Sequence, residues 1–313
     1  MHRPLLPSLL AAATLALPAA AAAAADPVVA PDPAVQQVAA LDGTVVWVTG
    51  AFGHQKLMQR TPAGVVGPVK GTREARSYRS IDLGHDSDGA LRLTYLRCDT
   101  TTSCQALWND LDGRRATFRK LALPNCAVST APSWWRTRIA YGLDCGGSAA
   151  NRTRTGLYVK TGSRAPRRLR LPKDAVRFGV NRIESVDLRG TRVAAVAADI
   201  YEYAFSENVD GSGTSSFLAA ASEGDSDENA RGLALGSGGT LWALTDAEHA
   251  GDPKEALISR LAGDCLRRER LTTPADGDFA ATDLAVDGTT LYLLVPGTGI
   301  VTHAFVPEPT PGC

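Results

Sequence analysis

The side chains best suited to chemistry in this 313-residue chain are its six cysteines, its five histidines and two loops rich in oxygen donors. The cysteines are Cys98, Cys104, Cys126, Cys145, Cys265 and Cys313. They lack the paired C-x2-C or C-x4-C spacing of a zinc site, and no histidine neighbours Cys98 or Cys104. An even count of this kind reads as disulfides, which leaves no thiol nucleophile. His54, His85, His249 and His303 are far apart, with no i, i+2 or i, i+4 pair among them. The G-x-S-x-G, H-E-x-x-H, P-loop and G-x-G-x-x-G patterns are all absent, so no catalytic residue is assigned.

Two loops could offer oxygens to a cation. Asn208-Val-Asp210-Gly-Ser212-Gly resembles the start of an EF-hand loop, and calcium is the one cofactor it suggests. The bidentate Glu due at the twelfth position is Ala219, so the segment reads first as a solvated hairpin loop. His85-Asp-Ser-Asp-Gly89 is a weaker version of the same idea. Trp134 and Trp135 are adjacent, so strand alternation turns one toward the core and leaves the other exposed as a platform for a sugar ring.

These residues must be positioned by a repeat. Alternating apolar residues flank a small turn in VAALDGTVVWV (38–48), SDGALRLTYL (87–96), DLRGTRVAAV (187–196), LGSGGTLWAL (235–244) and LAVDGTTLYLL (284–294). A degenerate copy is SWWRTRIAYGL (133–143). Successive turns lie 46 to 54 residues apart, and alternation on both sides of a Gly turn is a hairpin signal. A third strand follows most hairpins, at 55–64, 105–113, 155–163, 255–264 and 299–306, and fourth strands follow at 65–70, 116–124, 166–172 and 266–271. Four antiparallel strands per repeat of this length is a propeller blade.

The expectation is an all-β, single six-bladed β-propeller of four-stranded blades at about 35–70, 78–124, 126–172, 180–222, 229–272 and 279–306. The last repeat stops after three strands, so segment 27–33 is expected to supply its outer strand and close the ring. The prolines of that segment suit an edge.

The register places the cysteines. Cys126 and Cys145 are symmetric about the turn near Trp135–Arg136, and Cys98 and Cys104 flank the short loop CDTTTSC. Cys265, in the outer turn of the fifth repeat, then pairs with Cys313 and ties the C-terminus to the neighbouring blade.

The N-terminus adds a compartment. His2 and Arg3, an apolar run from Leu5 to Leu17 and small residues up to Ala25 form a secretory signal peptide over residues 1–25. Residues 26–313 then make the mature domain, secreted or held in the cell envelope, with no membrane span. Net charge is zero but unevenly spread: residues 26–172 carry 21 Lys+Arg against 11 Asp+Glu, and residues 173–313 carry 11 against 22. One side of a ring would be basic and the other acidic. This argues against nucleic acid as a partner and offers a route to head-to-tail association of an otherwise monomeric chain.

The short turns fall on one face of the ring. The longer connections, 71–79, 96–105, 145–155, 173–182, 197–214, 223–231 and 246–255, fall on the other, and any ligand is expected there, over the central channel.

With its DG-type hairpins spaced about 49 residues apart, the chain resembles the exported propellers of the TolB-like, NHL and SMP-30-like groups. The resemblance is one of architecture over nearly the whole mature chain. It implies a channel site, which in SMP-30-like enzymes holds a divalent metal on acidic and Asn ligands. Glu184, Asp278 and Asp283 stand where such ligands begin, whereas Gln37, Arg76 and Arg79 occupy the matching positions in the first repeats. The reading is therefore a non-enzymatic binding or scaffold propeller for a protein, small-molecule or glycan ligand. Its alternatives are a metal-dependent hydrolase or lyase and a carbohydrate-binding propeller.

Overall fold

The computed structural model describes residues 27–100, 103–118, 121–146, 153–171, 182–198, 202–212, 216–219, 226–249, 255–271 and 280–309. The signal-peptide segment, Asp278 and Cys313 lie outside them.

Each repeat folds as its alternation dictates. In the first, Val35–Leu41 (β2) turns through Asp42-Gly43 into Thr44–Thr49 (β3), followed by Lys56–Arg60 (β4) and Val66–Pro68 (β5), hydrogen-bonded in that order. Asp42 and Gly43 both have positive φ, 52° and 73°, the backbone of a two-residue turn that matches strand twist. The same meander recurs in Arg182–Arg189 (β15), Arg192–Ala198 (β16), Glu202–Asn208 (β17) and Ser216–Ala219 (β18). It recurs again in Ser226–Leu235 (β19), Leu241–His249 (β20), Glu255–Ala262 (β21) and Cys265–Leu271 (β22).

Asp283–Asp287 (β23), Thr290–Val295 (β24) and Gly299–His303 (β25) form another sheet. Its fourth strand is Val28–Ala30 (β1), antiparallel to β25.

The remaining strands form one nine-stranded sheet. Ser77–His85 (β6), Leu91–Cys98 (β7), Cys104–Asn109 (β8) and Arg115–Thr117 (β9) make one half. Ser133–Trp135 (β11), Arg138–Asp144 (β12), Gly156–Thr161 (β13) and Arg167–Arg168 (β14) make the other, with Ala127–Val128 (β10) added to β12. The halves meet at a single parallel bridge, Trp135 to His85, where the Arg136 N–H donates to the His85 carbonyl at 2.6 Å. Backbones come this close because residue 84 is glycine: a Cβ there would overlap the Trp134 carbonyl oxygen. Gly84→Ala should cost about 1–3 kcal/mol, the usual penalty of overpacking, read as a lower urea midpoint at unchanged slope.

Inner strands neighbour one another in the order β2, β6, β11, β15, β19, β23 and back to β2. Apolar clusters fill the wedges between successive sheets. Leu57 and Val48 meet Leu83 and Leu93, Leu121 meets Tyr141, and Leu157 meets Leu188. Further round, Val196 meets Leu235, Ile258 meets Leu284, and Trp47 meets Tyr292. Because the sheets stack face to face, middle strands are buried on both sides. Val45, Val46, Trp47 and Val48 are at most 2% exposed, and so are the small residues of β16 from Val193 to Ala198. All-β sheets in a propeller-like arrangement, with almost no helix, therefore match the expected class.

Disulfides join Cys98 to Cys104 and Cys126 to Cys145. Cys265 is also disulfide-bonded, and its expected partner, Cys313, lies outside the described residues. The chain after β25 runs along β22: the Glu308 N–H donates to the Arg268 carbonyl, and the Val306 N–H to Glu269.

Two expected loops are corrected. Segments 197–214 and 223–231 contain β17 and the first six residues of β19. The third strand of that repeat has no Gly-bounded alternation of its own and is held by pairing to β16 along its whole length, Arg192 with Asn208 through Ala198 with Glu202.

Candidate functional site

The inner strands wall a central cavity of about 240 Å³. Four of them carry a β-bulge at nearly the same height, between Val35 and Gln37, Arg79 and Ile81, Ile183 and Ser185, and Ala230 and Gly232. A bulge re-aims side chains, and Ser80 adopts φ 57° to make one. The result is a polar mouth of Gln37, Ser80, Glu184 and Arg231 at the face where the inner strands begin.

Side chains on the inner strands also knit neighbouring sheets together. Asp283 accepts the Val38 N–H at 2.9 Å and, through its other oxygen, the Leu284 N–H at 2.9 Å. Asp187 accepts the Leu235 N–H at 2.5 Å, Ser133 the Leu188 N–H at 2.7 Å, and Ser80 the Ala131 N–H at 3.0 Å. Arg189 crosses the floor. Its guanidinium donates to the Ala40 carbonyl at 3.2 Å and the Val286 carbonyl at 2.9 Å, and its Nε lies 3.8 Å from Asp187.

Burial pushes the Asp283 carboxyl up to about 7 despite its two amide partners. Burial raises Asp82 well above the carboxylate range, and the charge of Asp187 adds to the effect. Asp187 is raised by burial too, partly offset by Arg189. Four buried acceptors on residues of these walls have no hydrogen-bond partner: Gln37 Oε1, Asp82 Oδ2, Ser185 Oγ and Asp187 Oδ1.

Of the residues singled out from sequence, Gln37, Glu184 and Asp283 do reach this cavity. Glu184 is ion-paired with Arg182, and both Asp283 oxygens are taken by amides. Arg76 lies over the Phe52 ring, 4.8 Å from its centre, and outside the cavity lining. Asp82, Asp187 and Arg189 are the residues the repeat pattern missed. Each sits in an inner strand, where a charged residue reads from sequence as solvent-facing.

Residues 208–212 of the candidate calcium loop are described, and residues 213–215 lie outside the described residues. Asp210 Oδ1 accepts both the N–H and the hydroxyl of Ser212, at 2.8 and 2.6 Å, which lowers its pKa, and Asn208 turns its amide nitrogen to the Ser212 carbonyl. His85 lies 2.7 Å from Asp42. Asp86 is likewise engaged by the Asp88 and Ala90 amides and by Arg92.

The tryptophan expectation is corrected, because neither ring is free. Trp134 packs edge-on against Trp108 and Phe118 and donates to the Arg136 carbonyl, while Trp135 packs on His85 and into two apolar clusters. Both tryptophans are half-buried, Trp134 against the strands of the preceding repeat and Trp135 at the sheet-to-sheet junction, so the division into one core and one exposed ring that alternation implies does not hold.

Among the described residues, no cluster of three or more His, Cys, Asp or Glu is arranged to hold a metal, and no helix is long and apolar enough to cross a membrane. Sheets ringed about a cavity lined by their inner strands define a β-propeller protein. No protein-family model matches the chain, and no curated protein matches it in sequence. Solved structures do match. A gluconolactonase from Xanthomonas campestris superposes with a TM-score of 0.53 at 12% identity, over 88% of this chain and 88% of its own. The Hadza microbial sialidase Hz136 gives 0.51 at 9% identity, over 87% of this chain and 65% of its own. The six-bladed, fucose-recognising lectin of Aleuria aurantia gives 0.48 at 12% identity, over 89% and 97%. Identities this low speak to the fold alone.

Proposed function

We propose that this chain is an exported, six-bladed, non-enzymatic binding propeller that takes a small polar ligand into its central cavity from the mouth formed by Gln37, Ser80, Glu184 and Arg231. One observation carries the reading: polar side chains from several sheets converge there, and four of their acceptors lack a protein partner. Six blades are supported by the cyclic order of six inner strands, with the nine-stranded sheet counted as two blades joined by one bridge. The pairing of β1 with β25 supports closure by the N-terminal strand. A basic, apolar, then small-residue N-terminus and two disulfides support export. The tail running along β22 supports the pairing of Cys265 with Cys313.

The metal-dependent hydrolase reading is less favoured, because Glu184 is paired with Arg182 and Asp283 is held by two amides. The glycan reading loses its Trp134 or Trp135 platform.

Saturation-transfer NMR against monosaccharides, dicarboxylates and alkylamines tests the site. At least one class should bind wild type saturably, and Glu184→Trp, which plugs the mouth, should weaken it at least about tenfold, the usual effect of losing about 1.4 kcal/mol of contact. Binding unchanged in Glu184→Trp would place the ligand elsewhere, and no binding by any class would end the binding reading.

A further inference from the structure

We infer that the cavity selects a ligand carrying a primary ammonium group, seated between Asp82 and Asp187; this rests on the channel-binding reading above. The partnerless atoms are chemically one-sided. Asp82 Oδ2, Asp187 Oδ1 and Gln37 Oε1 can only accept when the acids are ionised, and Ser185 Oγ can accept as well. An alkylammonium brings three donors and no acceptor, so it matches Asp82, Asp187 and Gln37 without adding a new unmatched group, and Ser185 keeps a hydroxyl that can donate as well as accept. A sugar hydroxyl brings acceptors along with each donor and matches less well.

Charge points the same way. Asp82 and Asp187 repel one another inside the protein, and when both are ionised they and Arg189 sum to one negative charge. A single positive charge neutralises that balance. A divalent ion would leave an excess positive charge beside the fixed guanidinium. Asp187 belongs to the cavity wall, is 5% exposed and holds one buried oxygen without a partner, so the set is built into the core. The walls between the polar atoms are apolar, from Val38, Ala39, Val186, Leu233 and Leu284, and suit an aliphatic stem.

A proton competes for the same place. Asp82 is faced by Asp187, Ser133 and Arg189. Asp187 is faced by Arg189 and the Leu235 and Leu188 amides. Glu184 with Arg182, Arg231 and Asp283 complete the charged groups of the walls. Ammonium binding should therefore strengthen as pH rises, because a proton on either acid takes the place of the ammonium.

Calorimetry with n-butylammonium chloride tests this, with equal potassium chloride and neutral n-butanol as controls. The expected result is saturable binding of the ammonium at pH 8, weaker at pH 5.5 and at least about tenfold weaker in Asp82→Asn, whose amide keeps the size of the side chain. Gln37→Leu, which removes a third acceptor, should weaken it less. The inference is overturned if potassium or n-butanol reproduces the signal, or if Asp82→Asn binds as wild type does. It is also overturned if a monosaccharide or dicarboxylate occupies the mouth while the ammonium does not, and in that case the channel-binding reading stands.

Discussion

Arg189→Met lowers the unfolding free energy by about 3–5 kcal/mol in urea titrations, the range for breaking a buried ion pair from one side. Arg189 and Asp187 are 13% and 8% exposed at their side chains, so little water can replace the lost charge. The substitution keeps the apolar stem and removes three things at once: the charge beside Asp187, the bond to Ala40 and the bond to Val286. Those carbonyls belong to β2 and β23, while Arg189 ends β15, so three separate sheets lose their shared tie at the floor of the cavity. Asp187 then sits near Asp82 with nothing to offset their repulsion. The companion variant isolates this contribution. Arg189→Met with Asp187→Asn should recover part of the loss, since a neutral amide no longer needs the guanidinium and can still accept from Leu235. A single variant as stable as wild type would show that the crossing guanidinium ties nothing.

The stability of this protein falls as pH rises from about 4 to about 7. An aspartate in the unfolded chain titrates near 3.9, whereas Asp283 in the fold titrates at about 7. Between those values the folded state keeps a proton that the unfolded state has released. The stabilising contribution is fully present below the unfolded pKa and is lost as pH rises through the folded one. Asp82 and Asp187 are raised as well and act in the same direction. Asp86 opposes them. Its burial raises the pKa, but Arg92 and the Ala90 and Asp88 amides outweigh that and leave it lowered, so its contribution is present above about 3.9 and fades only in stronger acid.

The net expectation is a maximum near pH 4–5 and a decline of about 2–4 kcal/mol by pH 8 from Asp283 alone, at about 1.4 kcal/mol per unit. Asp283→Asn should flatten this slope. Its amide oxygen can keep the bond from Val38, the contact that joins β23 to β2. Chemical denaturation at pH 5 and pH 8 reads both. A flat wild-type profile, or an unchanged slope in Asp283→Asn, would remove Asp283 from this role.

The inner-strand carboxylates explain why the site was harder to read than the fold. Asp82 and Asp187 occur in strands whose other positions alternate cleanly, as in SIDLGH and SVDLRG. In a single strand such a residue looks like a solvent-facing one. Only the ring brings the inner edges of several sheets around one cavity, and so turns an outward position into a buried one. Glu184 and Asp283 were legible because they begin inner strands. Their partners, Arg182 and the Val38 amide, come from the bulge geometry and from the neighbouring sheet.

The tryptophans follow the same logic. Period-two alternation assigned one of the pair to the surface, but β11 is where two four-stranded halves join, so each ring packs on an aromatic neighbour and both end half-buried. The short Cys98–Cys104 and Cys126–Cys145 bridges could be placed in advance because a hairpin register depends on neighbours in sequence. Local order of this kind, in the Asp-Gly turns, the alternating strands and their spacing, belongs to the sequence itself, because hairpins form from adjacent residues. The cavity, its tied floor at Arg189 and the facing acids Asp82 and Asp187 belong to the tertiary structure, because they join residues roughly a hundred positions apart that meet only when the sheets close around a common axis.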